Sequence, residues 1–295
     1  MILTVTTNPM VEHIYSVPGF SAGGAFRPPS RGRLLATGKP LNVARALFDL
    51  GDDVRALVAL GGTTGREIEE LLGDEGLSTR FVALRHGSRR GFTVYDERGV
   101  TTTVYGPPPK MSDDEVDAVI AAVRCMLPVR KLVLGGSTSR PDLYARLCSL
   151  DVPVVLDAQG AALTECLAVG EIAVVKPNLR ECQRTFGVRT GPEAVEALAS
   201  RGARTVVVTD EDRSAWFRVG GALLRATPPK VDVVHTVGCG DALCAGLLHA
   251  KGRPAEEVVA FAMACGAYAA TRPDVARLDR AACEALASRV EVERL

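Results

Sequence analysis

The stretch His235–Ala245, HTVGCGDALCA, holds the residue types and spacing best suited to chemistry. An apolar, strand-like run, Val231–Val234, leads into Gly238-Cys239-Gly240-Asp241, and a helical pattern follows. Flanking glycines let a backbone turn sharply, so successive N–H groups aim at one point at a helix N-terminus, where the macrodipole favours an anion. Such a cradle suits a transferring phosphoryl group and the charge that develops on it. Asp241, in the first turn, is suited to orient an attacking hydroxyl and to accept its proton late in a loose phosphoryl transfer. The helix end should favour its carboxylate, so its pKa is not expected to be strongly raised. Taken alone, the same residues also fit a plain glycine-rich turn in which Asp241 caps a helix.

Competing signatures are missing. A dinucleotide fingerprint G-x-G-x-x-G would need glycine at 243, where Leu243 stands. A P-loop around Gly38-Lys39 would need glycine in place of Arg33 and a hydroxyl in place of Pro40. There is no G-x-S-x-G elbow, and the four histidines form no triad or metal pattern.

The elements that must position this cradle follow from periodicity. Ile2–Thr6, Val54–Leu60, Lys131–Leu134, Val152–Leu156, Ala173–Lys176 and Thr205–Thr209 read as strands, several of them continuously apolar and so covered on both faces. Between them Leu41–Leu50, Arg66–Leu72, Ser112–Met126, Pro141–Leu150 and Pro192–Ser200 carry helical spacing, with Ser112 and Glu115 as a capping-box pair. After Val231 the chain reads as helical over Asp241–Lys251, Pro254–Thr271 and Asp279–Val290. Alternation of this kind predicts an α/β fold with a doubly wound, mostly parallel sheet flanked by helices. Two segments break it: the Gly/Pro-rich stretch from His13 to about Arg33, and Gly91–Tyr105, two Thr/Val/Tyr-rich runs around the turn Asp96-Glu97-Arg98-Gly99. They read as one small β-sheet lid. The expected division is 1–10, 36–86 and 110–295 as core and 11–35 and 87–109 as lid.

Lys+Arg and Asp+Glu both number 35, so the formal net charge is zero, which argues against a nucleic-acid or anionic-membrane partner. The N-terminus has no signal-peptide pattern and no apolar run reaches the ~20 residues of a membrane helix. None of the eight cysteines forms a C-x-x-C pair or has zinc spacing, so buried thiols in a reducing cytoplasm are expected.

The sequence resembles the ribokinase-like (PfkB) carbohydrate kinases, in particular their 1-phosphofructokinase and tagatose-6-phosphate kinase branch, over essentially its full length. The opening ILTVTTNPMVEH is similar to the branch's strand ending in T-x-N-P-x-x-D. ATGKPLNVARAL, residues 36–47, resembles G-G-K-G-x-N-V-A-R-x-L, and HTVGCGDALCAGLL resembles the C-terminal signature around [DN]-T-x-G-[AC]-G-D. LGGTTGREIEELL and KPNLRE also match. The resemblance implies a ribokinase-like fold and ATP- and Mg2+-dependent transfer of the γ-phosphate to a hydroxyl of a sugar or sugar phosphate. Asp241 would be the catalytic base, and Gly238, Cys239 and Gly240 the anion hole. Lys176 and Thr209 would lie near the nucleotide phosphates. Asn178 and Glu181 would organise the magnesium–phosphate region indirectly. Glu12, Lys39, Asn42 and Arg90 would bind the substrate.

Some positions depart from the pattern. Glu12 replaces the aspartate that holds sugar hydroxyls, and Thr37 and Pro40 replace two glycines of the substrate loop. The phosphate-reading R-x-N segment is taken as Arg90-Gly91-Phe92, and the nucleotide loop carries Asp210-Glu211-Asp212 where glycine is usual. A kinase for a nonphosphorylated sugar or nucleoside-like alcohol, and a catalytically weak ligand-binding or regulatory protein, therefore stand as alternatives. Edge strands in an exposed lid predict a homodimer formed through it.

Overall fold

A computed structural model describes residues 1–295. In chain order the first half comprises β1 (Ile2–Thr6), β2 (Met10–Ser16), β3 (Arg33–Thr37), α1 (Lys39–Asp49), β4 (Val54–Gly61), α2 (Gly62–Gly73), β5 (Thr79–Leu84), β6 (Arg89–Tyr95), β7 (Thr101–Tyr105), α3 (Asp113–Arg124), β8 (Lys131–Gly135) and α4 (Pro141–Cys148). The second half comprises β9 (Val154–Asp157), α5 (Gly160–Val169), β10 (Ile172–Val175), α6 (Leu179–Phe186), α7 (Gly191–Ala199), β11 (Ala203–Asp210), β12 (Ser214–Val219), β13 (Ala222–Thr227), α8 (Cys239–His249), α9 (Ala255–Ala270), α10 (Arg280–Ala287) and β14 (Glu291–Arg294).

The continuously apolar runs become the middle of a ten-stranded sheet of order β14-β13-β12-β11-β10-β9-β8-β1-β4-β5. From β11 through β5 the neighbours are parallel; β12, β13 and β14 extend the edge antiparallel. Side chains alternate across the pleat, and both faces are covered. Ile2, Ala56, Val58 and Val133 pack with α1, α2, α8 and α9, while Leu3, Val5, Leu57 and Leu132 pack with α3, α4, α5 and α7. This is the doubly wound α/β fold expected from the sequence. β1 lies between β4 and β8, so the winding reverses at its edge with β8, and ligands of such sheets bind at the carboxyl ends of the strands there.

A second, four-stranded sheet of order β3-β2-β6-β7 stands over that end. β6 and β7 form the expected hairpin, with Gly99 N–H donating to Asp96 O across the turn. Ser112 and Glu115 form the expected capping box at α3. Two local readings do not hold. Val231–Val234 is no strand; Val234 N–H instead donates to Ala270 O at the end of α9. The strands β12, β13 and β14 have no counterpart in the sequence reading, because they return antiparallel and lack the continuous apolar runs of the buried strands.

Helix α8, which carries the chemically suggestive segment, packs closely on α9. A Cβ added at Gly246 would lie 2.7 Å from Cys265 Sγ and 3.0 Å from Ala262 Cα. Gly246→Val should therefore force the two helices apart and lower stability by about 1–3 kcal/mol. Gly73→Ala, in a helix with nothing within 4 Å of the added carbon, should be neutral or stabilising. Urea midpoints of the two variants check this, and an unchanged midpoint for Gly246→Val contradicts the packing argument.

Candidate active site

A cavity of about 590 Å³ opens between the carboxyl ends of the central strands and the lid sheet. That size is typical of small-molecule sites. Its floor is the start of α8. Gly238 is left-handed (φ 78°), and a Cβ there would sit 2.7 Å from Val275, so the turn needs glycine. A Cβ on Gly240 would come within 3.4 Å of Lys176 Nζ, so glycine keeps that approach open. The N–H groups of the first helical turn have no intrahelical acceptor and are available to an anion. Cys239 does not line the cavity; its N–H leans on Thr236 O at 3.4 Å and its thiol on His235 O at 3.9 Å. Burial pushes that thiol up to about 12, so it stays protonated and unreactive near neutrality.

Behind the helix start lies a charged cluster that local sequence does not reveal. Asp157, at the end of β9, is 2 % exposed. Its Oδ1 meets Lys39 Nζ at 2.6 Å and its Oδ2 meets Lys176 Nζ at 2.7 Å. Burial works against the Asp157 charge, but the two ammonium groups outweigh it and hold its pKa below the usual range. Lys39 is held protonated by Asp157 and by Glu181, whose Oε1 is 3.7 Å away, against the burial of its charge. Asp157 was missed in the sequence reading. The only signal was an acid ending an apolar strand, a position where α/β sheets bind ligands.

Asp241 faces this cluster and is 6 % exposed. Its Oδ2 accepts from Asn42 Nδ2 at 2.8 Å. Its pKa is pushed up to about 6, first by burial and then by the Asp157 charge, with Lys176, Lys39 and Asn42 pulling the other way. The expectation of an unraised carboxylate is thus corrected. Loss of water around a buried carboxylate outweighs the partial charge of a helix end.

Asn178 and Glu181 form a reciprocal capping box at the start of α6: Glu181 N–H donates to Asn178 Oδ1 and Asn178 N–H to Glu181 Oε2, at 2.8 and 2.9 Å. One oxygen of Glu181 is thereby structural, and the other, Oε1, faces Lys39 and the cavity. Thr209 lines the wall and pairs with Asn178 in a short parallel bridge. The acids beyond it are held by arginines outside the cavity, Asp210 by Arg213 and Glu211 by Arg180.

The roof comes from the lid. Glu12 is 1 % exposed and accepts from Thr37 Oγ1 at 2.9 Å and Thr93 Oγ1 at 2.5 Å. Glu12 and Gly91 are register partners, so the alternate residues Arg89, Gly91 and Thr93 of β6 share the cavity face, and Arg90 and Phe92 take the other. Arg90 lies outside the cavity and pairs with Glu67 of α2. Arg89 lines the cavity instead. Its guanidinium lies over the Tyr105 ring, forms no ion pair, donates weakly to Asn8 O at 3.4 Å, and leaves a buried Nε–H without an acceptor. The cavity thus unites Glu12, Lys39, Asn42, Lys176, Asn178, Glu181, Thr209, Gly238, Gly240 and Asp241, and leaves out Arg90 and Cys239. His235 is fully buried behind it, bonded to Pro273 O at 3.2 Å.

The "pfkB family carbohydrate kinase" model matches residues 10–280. Over 284 residues, 92 % of each chain, the protein is 32 % identical to 1-phosphofructokinase of Bacillus subtilis (strain 168). Its fold superposes on phosphofructokinase-2 of Escherichia coli, solved in complex with substrates and products, with a TM-score of 0.85 at 25 % identity over 97 % of this chain and 98 % of that one. Ribokinase of Thermotoga maritima shares the fold, with a TM-score of 0.78 at 18 % identity over 98 % and 99 % of the two chains.

The raised Asp241 pKa has a thermodynamic counterpart. The folded state holds that proton more tightly than the unfolded chain, so charging Asp241 costs stability as pH rises from about 4 to about 6. Asp241→Asn should match the native protein below pH ~4 and exceed it at pH 7.5, by on the order of 3 kcal/mol. Urea unfolding across pH checks this; a pH-independent difference would remove Asp241 as the buried titrating group.

Proposed function

The chain belongs to the pfkB family of carbohydrate kinases, phosphotransferases that use ATP and generally Mg2+, and from that membership and the cavity we propose that it transfers the γ-phosphate of ATP to a hydroxyl of a sugar phosphate, fructose 1-phosphate being the first candidate. The observation that carries the acceptor class is Arg89: a partly buried guanidinium without a carboxylate partner, with an unsatisfied Nε–H, in the roof of the site. Burial presses its pKa below the ordinary guanidinium value, outweighing the upward pull of Tyr105 and Glu12. A phosphate on the acceptor supplies a counter-ion and a bidentate partner.

Glu12, fixed by Thr37 and Thr93, accepts from acceptor hydroxyls. Asp241 Oδ2 is engaged by Asn42, which leaves Oδ1 for the reacting hydroxyl. As that oxygen bonds to the γ-phosphorus, its proton passes to Asp241 and the bond from phosphorus to the ADP oxygen breaks. The Gly238–Asp241 turn and the α8 end stabilise the charge on the transferring oxygens, and Lys176 lies beside Gly240 for the adjoining phosphates. Glu181 Oε1 is a hard oxygen not used by the capping box, and with no cluster of three or more acidic, His or Cys side chains here, Mg2+ would be held mainly by the nucleotide phosphates and water, with Glu181 alongside. The ion would neutralise phosphate charge. The catalytically weak alternative rests on the loss of glycines and the gain of three acids in the nucleotide loop; the arginine partners of Asp210 and Glu211 offset the charge of two of those acids.

The lid also supports a homodimer. Leu34, His13, Phe92 and Val104 are successive register partners across its four strands and share the face away from the cavity. Leu34, Phe92 and Val104 are 40–49 % exposed, an apolar row that a second lid would cover. No helix is long and apolar enough to cross a membrane.

Steady-state kinetics with ATP and Mg2+ should show turnover of fructose 1-phosphate. Arg89→Gln should lower kcat/KM for it roughly 10- to 100-fold, mostly through KM, and leave unphosphorylated fructose unaffected. Equal losses on both acceptors would exclude Arg89 as the phosphate reader. For the dimer, Phe92→Asp should convert a sedimenting dimer to monomer; a native protein that sediments as a monomer rejects this interface.

A further inference from the structure

Arg45 is buried within α1, 4 % exposed, and lines none of the active-site cavity. It spends almost all of its donors at fixed partners. Nε and Nη2 form a fork onto Glu75 at 2.5 and 2.7 Å, and Nη2 also reaches Ala36 O at 2.8 Å. Nη1 donates to Asn42 Oδ1 at 2.9 Å. Asn42 lies one helical turn back on the same face, and its Nδ2 donates to Asp241 Oδ2 at 2.8 Å. An amide has one acceptor end and one donor end. With Arg45 holding the oxygen, the nitrogen must point at Asp241; a flipped amide would set its oxygen against the carboxylate and its NH2 against the guanidinium.

We propose that Glu75, through Arg45 and Asn42, is the outer end of a hydrogen-bonded chain that positions the catalytic carboxylate and sets the pH at which it can act. Arg45 and Glu75 are positioning residues: neither touches the acceptor. The chain starts at a surface cleft, where Glu75 and Arg45 lie beside the separate Asp49–Arg277 pair. The groups that act most on Asp241 are Asn42 and Lys39 of α1, Asp157 of β9 and Lys176 after β10; Tyr105 of the lid and the thiols of Cys239 and Cys244 on its own helix also face it. Asn42 is the neutral donor hydrogen-bonded to Asp241, and its orientation is the one that Arg45 controls. Charge-assisted hydrogen bonds favour the ionised carboxylate, so losing this one moves its titration upward.

The inference rests on Asp241 as the base, and two readouts keep the ideas apart. In Glu75→Gln and Arg45→Lys, the acid limb of the kcat/KM profile should move to higher pH by roughly one unit. At fixed neutral pH kcat should fall while KM for the sugar phosphate changes little. Independently of turnover, the upper end of the pH window over which Asp241→Asn gains its stability advantage should move up by a similar amount in either background, its lower end staying near pH ~4. Asp49→Asn breaks the neighbouring ion pair in the same cleft, and should lower stability without moving either pH readout. If both readouts stay in place in both variants, the chain does not act on Asp241. If the stability window moves but the enzyme phosphorylates no sugar, the chain stands and the kinase reading falls. Glu75→Gln is the milder variant, and carries the test if Arg45→Lys does not fold.

Discussion

Lys39, Asp157 and Lys176 come from three separate elements; Asp157 and Lys176 are buried and keep their charges through one another, while Lys39, open to the cavity, adds a second ammonium to Asp157. Asp157 ends β9, Lys176 follows β10 and Lys39 opens α1 on the far side of the sheet's winding reversal. A lone buried ion would neutralise; a carboxylate between two ammonium groups stays charged, at the cost of demanding near-fixed geometry. That demand sets where α1 begins, and α1 carries Asn42 and Arg45. The same charges define the field at Asp241. Burial and Asp157 raise its pKa and the lysines lower it, so Asp241 sits near 6 as the outcome of opposed effects. A group with that value is ionised at neutral pH yet still a usable proton acceptor.

The large features were legible because they are local or periodic. Continuous apolar strands marked a sheet covered on both faces, and a glycine-flanked aspartate before a helix marked the cradle. What escaped depended on distant partners. Asp157 looks like an ordinary strand end until two lysines, 118 and 19 positions away, are brought to it. Arg89 and Arg90 are the same residue type side by side; the pairing of β6 with β2, 79 residues earlier in the register, decides which enters the cavity. Asp241's pKa was misjudged because a helix dipole can be read from sequence and burial cannot. The strands β12–β14 were invisible for a related reason, since antiparallel edge strands carry weaker apolar runs than central parallel ones.

Several glycines act by absence. Gly246 and Gly266 let α8 and α9 approach, Gly266 so closely that a Cβ would meet Cys239 O at 3.2 Å. The start of α8 is thus braced from behind by α9 and from the side by Val275 against Gly238. A rigid floor matters for electrostatic stabilisation, which works through dipoles already in place rather than through dipoles that must reorient.

The division between two sheets has a consequence for how this molecule can change over generations. Glu12 and Arg89, which line the cavity from above, lie on the four-stranded sheet, while Asp241, Asp157 and Lys176 belong to the ten-stranded one and its connections. Mutation in the small sheet retunes acceptor choice without disturbing the ion cluster or the helix start. Selection can therefore act on diet and on turnover as separable traits, and a lineage can adopt a new substrate while inheriting its chemistry intact.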